Sequence, residues 1–220
     1  MVPCMELAAD PRTADPVAKR PRGRPRKTLD ERDEGNRRRQ LVQAAARLFR
    51  RQGFDGTSTR DIAAAVGMQA GSPFYHFKSK GELLHAVIEQ GMLAAIARQA
   101  AALVDVSGDA AARLRRLIRN HFETLHGSGR DFIPVMHYES RSLDARQRAA
   151  IARLQHEYEA AWVPVLEALA EQGRLRADVQ LARLLIFGAL NWSVQWFDKR
   201  KRASLDDVTD AAMALFIGDT

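Results

Sequence analysis

The stretch TSTRDIAAAVGMQAGSPFYHFKSKGELL, Thr57 to Leu84, decides the fold. Ser58 with Asp61 three residues on is an N-terminal capping pattern. Ile62, Ala63 and Val66 give the helix that follows one buried face, and Gly67 ends it in a tight turn. A second short helix is expected from about Gln69 to Phe74 or Tyr75. An aromatic-rich run and Lys80 follow. Two short amphipathic helices joined by a tight turn are the outline of a helix-turn-helix. Its second helix must present short or hydrogen-bonding side chains to base edges. Gln69, Ala70, Gly71, Ser72 and Pro73 meet that requirement: Gln pairs bidentately with adenine, and Ala contacts a thymine methyl. Thr57, Thr59, Arg60, Ser72, Tyr75, His76 and Lys80 are placed to reach phosphates. Phe74 and Phe77 read as core.

Working outward, Leu41, Ala44, Ala45, Leu48 and Phe49 recur at helical spacing before Gly53. A helix is therefore expected from about Glu34. Residues 1–33 are rich in Pro, Arg, Asp and Lys without periodicity and read as a disordered basic arm. Within the arm, KRPRGRPRK (19–27) holds six positive charges and no acid. Its PRGRP core resembles an AT-hook, with Arg22 and Arg24 suited to a narrow, electronegative minor groove. The plainer reading is a solvated tail that adds non-specific affinity.

The charge is uneven. Residues 1–80 carry 17 Lys/Arg and 9 Asp/Glu, a net of +8, and residues 81–220 carry 17 and 18, a net of −1. Only the N-terminal third is built to meet a polyanion. No apolar run reads as membrane-spanning; LARLLIFGALNWSVQWF (181–197) is the most apolar stretch but contains Arg183, Asn191 and Gln195. The N-terminus has no apolar signal core, which points to a cytoplasmic protein. Cys4 is the only cysteine, and the histidines have no trusted ligand spacing, so neither metal nor cofactor is expected. No phosphate loop, nucleophile elbow or paired-acid signature argues for an enzyme.

The 41 residues RLFRRQGFDGTSTRDIAAAVGMQAGSPFYHFKSKGELLHAV, starting at Arg47, resemble the TetR family of bacterial transcriptional regulators. The coincident features are Phe49, Gly53-Phe54, Thr57-Ser58, Ile62-Ala63, Gly67, Gly71-Ser72, the aromatic run ending at Phe77, Lys80 and Leu83. The resemblance implies an all-α homodimer with a helix-turn-helix head per subunit (34–80) and a helical-bundle ligand-binding and dimerisation domain (81–220). It implies double-stranded operator DNA and a small-molecule effector as partners, with no membrane. Pro73 departs from the family, which usually has an apolar residue there. Near the first turn of a short helix its missing N–H costs little.

Beyond residue 81, helices are expected from Gly81 and over 109–126, 131–139, 144–172, 178–197 and 205–217. The last two carry too much apolar surface for exposed helices, which suggests burial against a second subunit. FGALNWSVQWFDKRKRASLDDVTDAAMALF (187–216) is similar to the C-termini of TetR regulators that sense acyl-CoA thioesters. Such a ligand needs an apolar tunnel, for which Tyr138, Tyr158, Trp162, Phe187, Asn191 and Trp192 are candidates. It also needs cations, for which Arg141, Arg146, Arg148 and Lys199–Arg202 are candidates. Core aromatics and solvated arginines are the competing readings. The whole points to a ligand-responsive repressor, with a regulator of drug efflux and an effector-free architectural DNA-binding protein as alternatives.

Overall fold

The computed structural model describes residues 29–69, 73–104, 109–127, 132–198, 200 and 203–218. Residues 1–28 of the expected arm, with Arg22 and Arg24, lie outside them, as do Ala70, Gly71 and Ser72. Ten α-helices are present among the described residues: α1 Leu29–Gln52, α2 Thr59–Ala65, α3 Pro73–His76, α4 Lys80–Val104, α5 Ala110–His126, α6 Phe132–Glu139, α7 Ala145–Ala160, α8 Val163–Glu171, α9 Val179–Trp196 and α10 Leu205–Phe216. A single 3-10 turn, Ser140–Ser142, joins α6 to α7.

The helices form for local reasons. Ser58 and Asp61 make the expected capping box on α2, and Asp144 with Gln147 and Ser204 with Asp207 do the same on α7 and α10. Gly53 and Gly67 have positive φ, +74° and +68°, where a side chain would be strained. After α2 the Gly67 N–H donates to Ala64 O and the Met68 N–H to Ala63 O, the paired bonds of a Schellman stop. The first helix starts earlier than its apolar periodicity indicates, at Leu29 rather than Glu34. Residues 29–33 carry three acids, a composition that suits the positive end of a helix.

The expected single helix over 144–172 is two helices, and Pro164 is the reason. It is the second residue of α8, offers no N–H to Ala160, and its ring would clash in a continuous helix. The chain tightens instead: Trp162 N–H donates to Glu159 O at 3.0 Å, and Trp162 O accepts from Val165 and Leu166. Tyr158 O thereby loses its helical donor. The buried Gln99 of α4 replaces it, giving its Nε2–H to Tyr158 O at 2.8 Å while its Oε1 accepts from Trp162 Nε1–H at 2.8 Å.

α4 is the strut of the molecule, packed against α1, α5, α6 and α7. Its length and hydropathy would suffice for a membrane span, which the sequence reading overlooked. Here Leu83, Leu84, Val87, Ile88 and Met92 face the core. Gly91 is required in mid-helix because a Cβ there would lie 2.1 Å from Phe132 Cγ. α10 lies along α5, with Thr209 and Ala212 buried and Arg115–Asp210 and Arg119–Asp206 ion pairs at the rim. The head (α1–α3) meets the body through α1, which touches both α4 and α6.

Candidate functional site: a DNA-reading head and an interior cavity

In the head, α2 is held against α1 by Ile62 and Ala63, both fully buried, and Phe77 closes the underside. Arg60, Gln69 and Tyr75 are exposed, and Thr59 and His76 are half-buried. Tyr75 is 77% exposed, and its hydroxyl donates to Glu34 Oε1 at 3.0 Å, so reaching a phosphate means leaving that carboxylate. Its ring meets that of His76 edge-on at 5.2 Å.

Three of the expected DNA contacts turn inward. Thr57 is 1% exposed because its hydroxyl donates to Gly53 O at 2.8 Å, satisfying the end of α1. Pro73 is buried at the first described position of α3, where a missing N–H is harmless. The Lys80 ammonium donates to Phe54 O at 2.7 Å and Thr57 O at 2.9 Å and sits 4.2 Å from the Phe54 ring centroid. Lys80 therefore ties the α1–α2 loop to the start of α4, a brace rather than an outward phosphate contact.

In the body, a cavity of about 30 Å³ lies among α4, α5, α6, α7 and α9. Tyr158, Phe187 and Asn191 line it, as the sequence suggested, together with His121, Gln155 and Glu159. The His121 ring is central. Asn191 Oδ1 can only accept, so His121 Nε2 carries the proton and donates to it at 3.1 Å; Nδ1 then accepts from the Tyr158 hydroxyl at 2.9 Å. Burial lowers the His121 pKa from the usual 6.5 to about 4, and the Asn191 hydrogen bond only partly opposes this. Burial also pushes the Tyr158 hydroxyl well above its usual range. Both groups are neutral in the physiological range, a polar network without charge. Glu159, the one carboxylate in the wall, is ion-paired with Arg183 of α9.

The other expected ligand residues are dispersed. Trp162 lies behind the cavity, wholly buried, its ring 4.7 Å from that of Phe187. Trp192 is 66% exposed, because one residue beyond Asn191 on a helix is a rotation of about 100°. Tyr138 is exposed and accepts a hydrogen bond from Gln195 in a separate outer cleft. Arg141 is exposed on the 3-10 turn, Arg146 is exposed near the start of α7, and Arg148 donates to Leu143 O. Of Lys199–Arg202 only Arg200 falls within the described residues, and it pairs with Asp198 at 2.8 Å. His121 and Gln99 were missed. A signal for His121 existed: it continues the buried series Leu114, Leu117, Ile118 at helical spacing, a core position given to a polar ring.

Residues 41–87 match the family model described as bacterial regulatory proteins, tetR family, and residues 107–219 that described as tetracyclin repressor-like, C-terminal domain. The HTH-type transcriptional repressor KstR2 of Rhodococcus jostii is 27% identical over 191 residues, covering 86% of this chain and 93% of KstR2. Among solved structures, the superantigen PfiT is 37% identical with a TM-score of 0.73, covering 83% of this chain and 97% of its own. AibR, in complex with isovaleryl coenzyme A and operator DNA, shares the fold with a TM-score of 0.74 at 24% identity, covering 82% and 97%.

Proposed function

Because the chain belongs to the TetR family of bacterial regulatory proteins, a family of ligand-responsive DNA-binding regulators, we propose that it is a repressor released from its operator by an acyl-CoA-type effector. The observation that carries the effector class is the charge state of the cavity. Its one carboxylate is already neutralised by Arg183, and its remaining polar groups are uncharged donors and acceptors beside Phe187, Met92 and Met136. A buried cationic drug is held best by an unpaired acid, which this wall lacks. An acyl chain with a carbonyl needs an apolar wall and a few neutral donors. KstR2 is a precedent for a repressor, and AibR, a protein of similar fold in complex with isovaleryl coenzyme A and operator DNA, is a precedent for the effector class.

The cavity also suggests how occupancy reaches the head. At about 30 Å³ it is far below the roughly 300 Å³ of a ligand pocket, so an effector must spread its walls. Ile133 and Met136 of α6 form part of the wall, and α6 packs on α1 of the head. A ligand that favours the spread state draws population away from the DNA-bound one. Gln69, with Ala70–Ser72, reads base edges in this scheme, while Thr59, Arg60 and Tyr75 hold phosphates. Thermal unfolding against CoA thioesters, their free acids and cationic drugs tests the effector class. A thioester at about 100 times its dissociation constant should add about 2.7 kcal/mol of stability. A response to drugs alone replaces this reading with efflux control, and a response to nothing favours an architectural DNA binder.

The dimer is proposed to form through α9 and α10. Leu181, Leu184, Leu185, Trp192 and Trp196 make one exposed stripe on α9, joined by Leu215 of α10 at 82% exposure. So much apolar surface on one face is a subunit interface in waiting. Two heads joined this way address half-sites one helical turn apart, about 34 Å. Leu184→Glu should yield a monomer in sedimentation and lose operator binding. A variant that remains dimeric places the interface elsewhere.

A further inference from the structure

From residue 34 to residue 52, α1 carries six arginines and one acid, Glu34. A lone carboxylate among arginines ordinarily pairs with one of them, and Arg38, four residues on, has the right helical spacing. The Arg38 guanidinium lies instead 4.8 Å from the centroid of the Phe77 ring, just beyond α3. The Glu34 carboxylate reaches across 41 residues of sequence and accepts from the Tyr75 hydroxyl of α3 at 3.0 Å. Together the two contacts tie the start of α1 to the recognition segment. Every residue from Glu34 to Gln40 is exposed, as is Tyr75, so this junction is open to a polyanion.

Tyr75 has one hydroxyl proton to donate. It can go to Glu34 or to a DNA phosphate, and not to both. Both acceptors are anionic, so each bond is charge-assisted and the two are of similar strength. The bond to Glu34 holds the Tyr75 hydroxyl above its usual pKa range, which keeps the proton in place. Once Tyr75 has left it, the carboxylate stands beside the phosphate that took its place, and like charges repel.

We propose that Glu34 is an internal competitor of the DNA backbone, a residue that sets the affinity of the head by occupying the Tyr75 hydroxyl until a phosphate displaces it. The inference rests on the phosphate role given to Tyr75 above. The competition is blind to sequence, because phosphates carry no base information. It lowers affinity for operator and non-operator DNA by the same factor and leaves their ratio unchanged. Its consequence falls on release: with the bound state less favoured, a smaller difference in effector affinity empties the operator.

Fluorescence anisotropy of the full-length protein with a labelled duplex of mixed sequence, at low salt where phosphate contacts are strong, tests this. Glu34→Gln keeps the shape and an acceptor but removes the charge, so the competing bond weakens by roughly half. Binding should tighten about threefold per head, and about tenfold where both heads of a dimer lie on the duplex. In the Tyr75→Phe background the same substitution should gain clearly less, since no hydroxyl remains to be released. Both residues are exposed, and melting points verify that the variants fold. If Glu34→Gln binds no tighter while Tyr75→Phe binds more weakly than the wild type, the competition is refuted and the phosphate role of Tyr75 stands. An equal gain in both backgrounds also refutes it, because the carboxylate then acts through charge alone. If Tyr75→Phe matches the wild type and takes nothing from the Glu34→Gln variant, the phosphate role and the competition fall together.

Discussion

Replacing Gln99 by leucine is expected to destabilise the protein by about 4 kcal/mol, although the two side chains are similar in size and no large void is created. Gln99 is 2% exposed and bonds two groups at the α7–α8 break: Tyr158 O, which Trp162 N–H has left for Glu159 O, and the indole N–H of the fully buried Trp162. Stranding a buried donor or acceptor costs about 1–3 kcal/mol each, and here one of each is stranded. Urea unfolding monitored by helical circular dichroism measures the change. A second substitution separates the polar term from packing. Trp162→Phe removes the indole donor, so in the double variant Gln99→Leu with Trp162→Phe one of the two orphaned groups no longer exists. The double variant should therefore lose less than the sum of the singles, a coupling of about 1–2 kcal/mol. Strict additivity, or a loss below about 1 kcal/mol for Gln99→Leu, would mean that the bracket does not hold the break in place.

Gln99 also shows what the sequence conceals. The Ser58–Asp61 cap, the Gly67 stop and the Leu41–Phe49 stripe were legible because each is written within one or two helical turns. The resemblance over Arg47–Val87 adds the head's architecture on the same local evidence. The bonds of Gln99 to Tyr158 and Trp162 span 59 and 63 residues, and no periodicity reveals a pairing across that distance. Pro164 was visible, yet a proline near a helix start is tolerated and one in mid-helix is not. The sequence around it did not say which case applied. The inward turn of Thr57 and Lys80 was hidden for a similar reason. Both residue types bind phosphates readily, and only the fold shows that loop carbonyls have claimed them. In the body, Tyr158, Phe187 and Asn191 line the cavity because they fall on inward faces of their helices, whereas Trp192 follows the outward face of α9.

Acid should expose the cost of burying His121. Its folded pKa, about 4, lies below the unfolded value of about 6.5, so between these limits the unfolded chain holds the extra proton. Stability therefore falls as pH drops from 6.5 towards 4 and is insensitive to this group above 6.5. A difference of about 2.5 units corresponds to about 3 kcal/mol, a large share of a typical domain's total stability. The groups facing the ring do not rescue the charge. Tyr158 and Asn191 are neutral, His126 and His137 repel it, and Glu159 is engaged with Arg183. Asp61, whose carboxyl is held below its usual range by Ser58, titrates beneath this window and does not confuse it. Urea midpoints between pH 4 and 7 measure the slope, and His121→Gln removes the titrating group while keeping an amide in the cavity. The wild type should lose stability across the window, and the variant should lose about one proton's worth less. Identical slopes would mean that another group carries the acid sensitivity. In the folded protein His121 stays neutral until the pH approaches 4, so effector affinity should hold across this window and decline only near and below pH 4, where a charge would stand in the wall facing the acyl group, and only in proteins that retain the histidine.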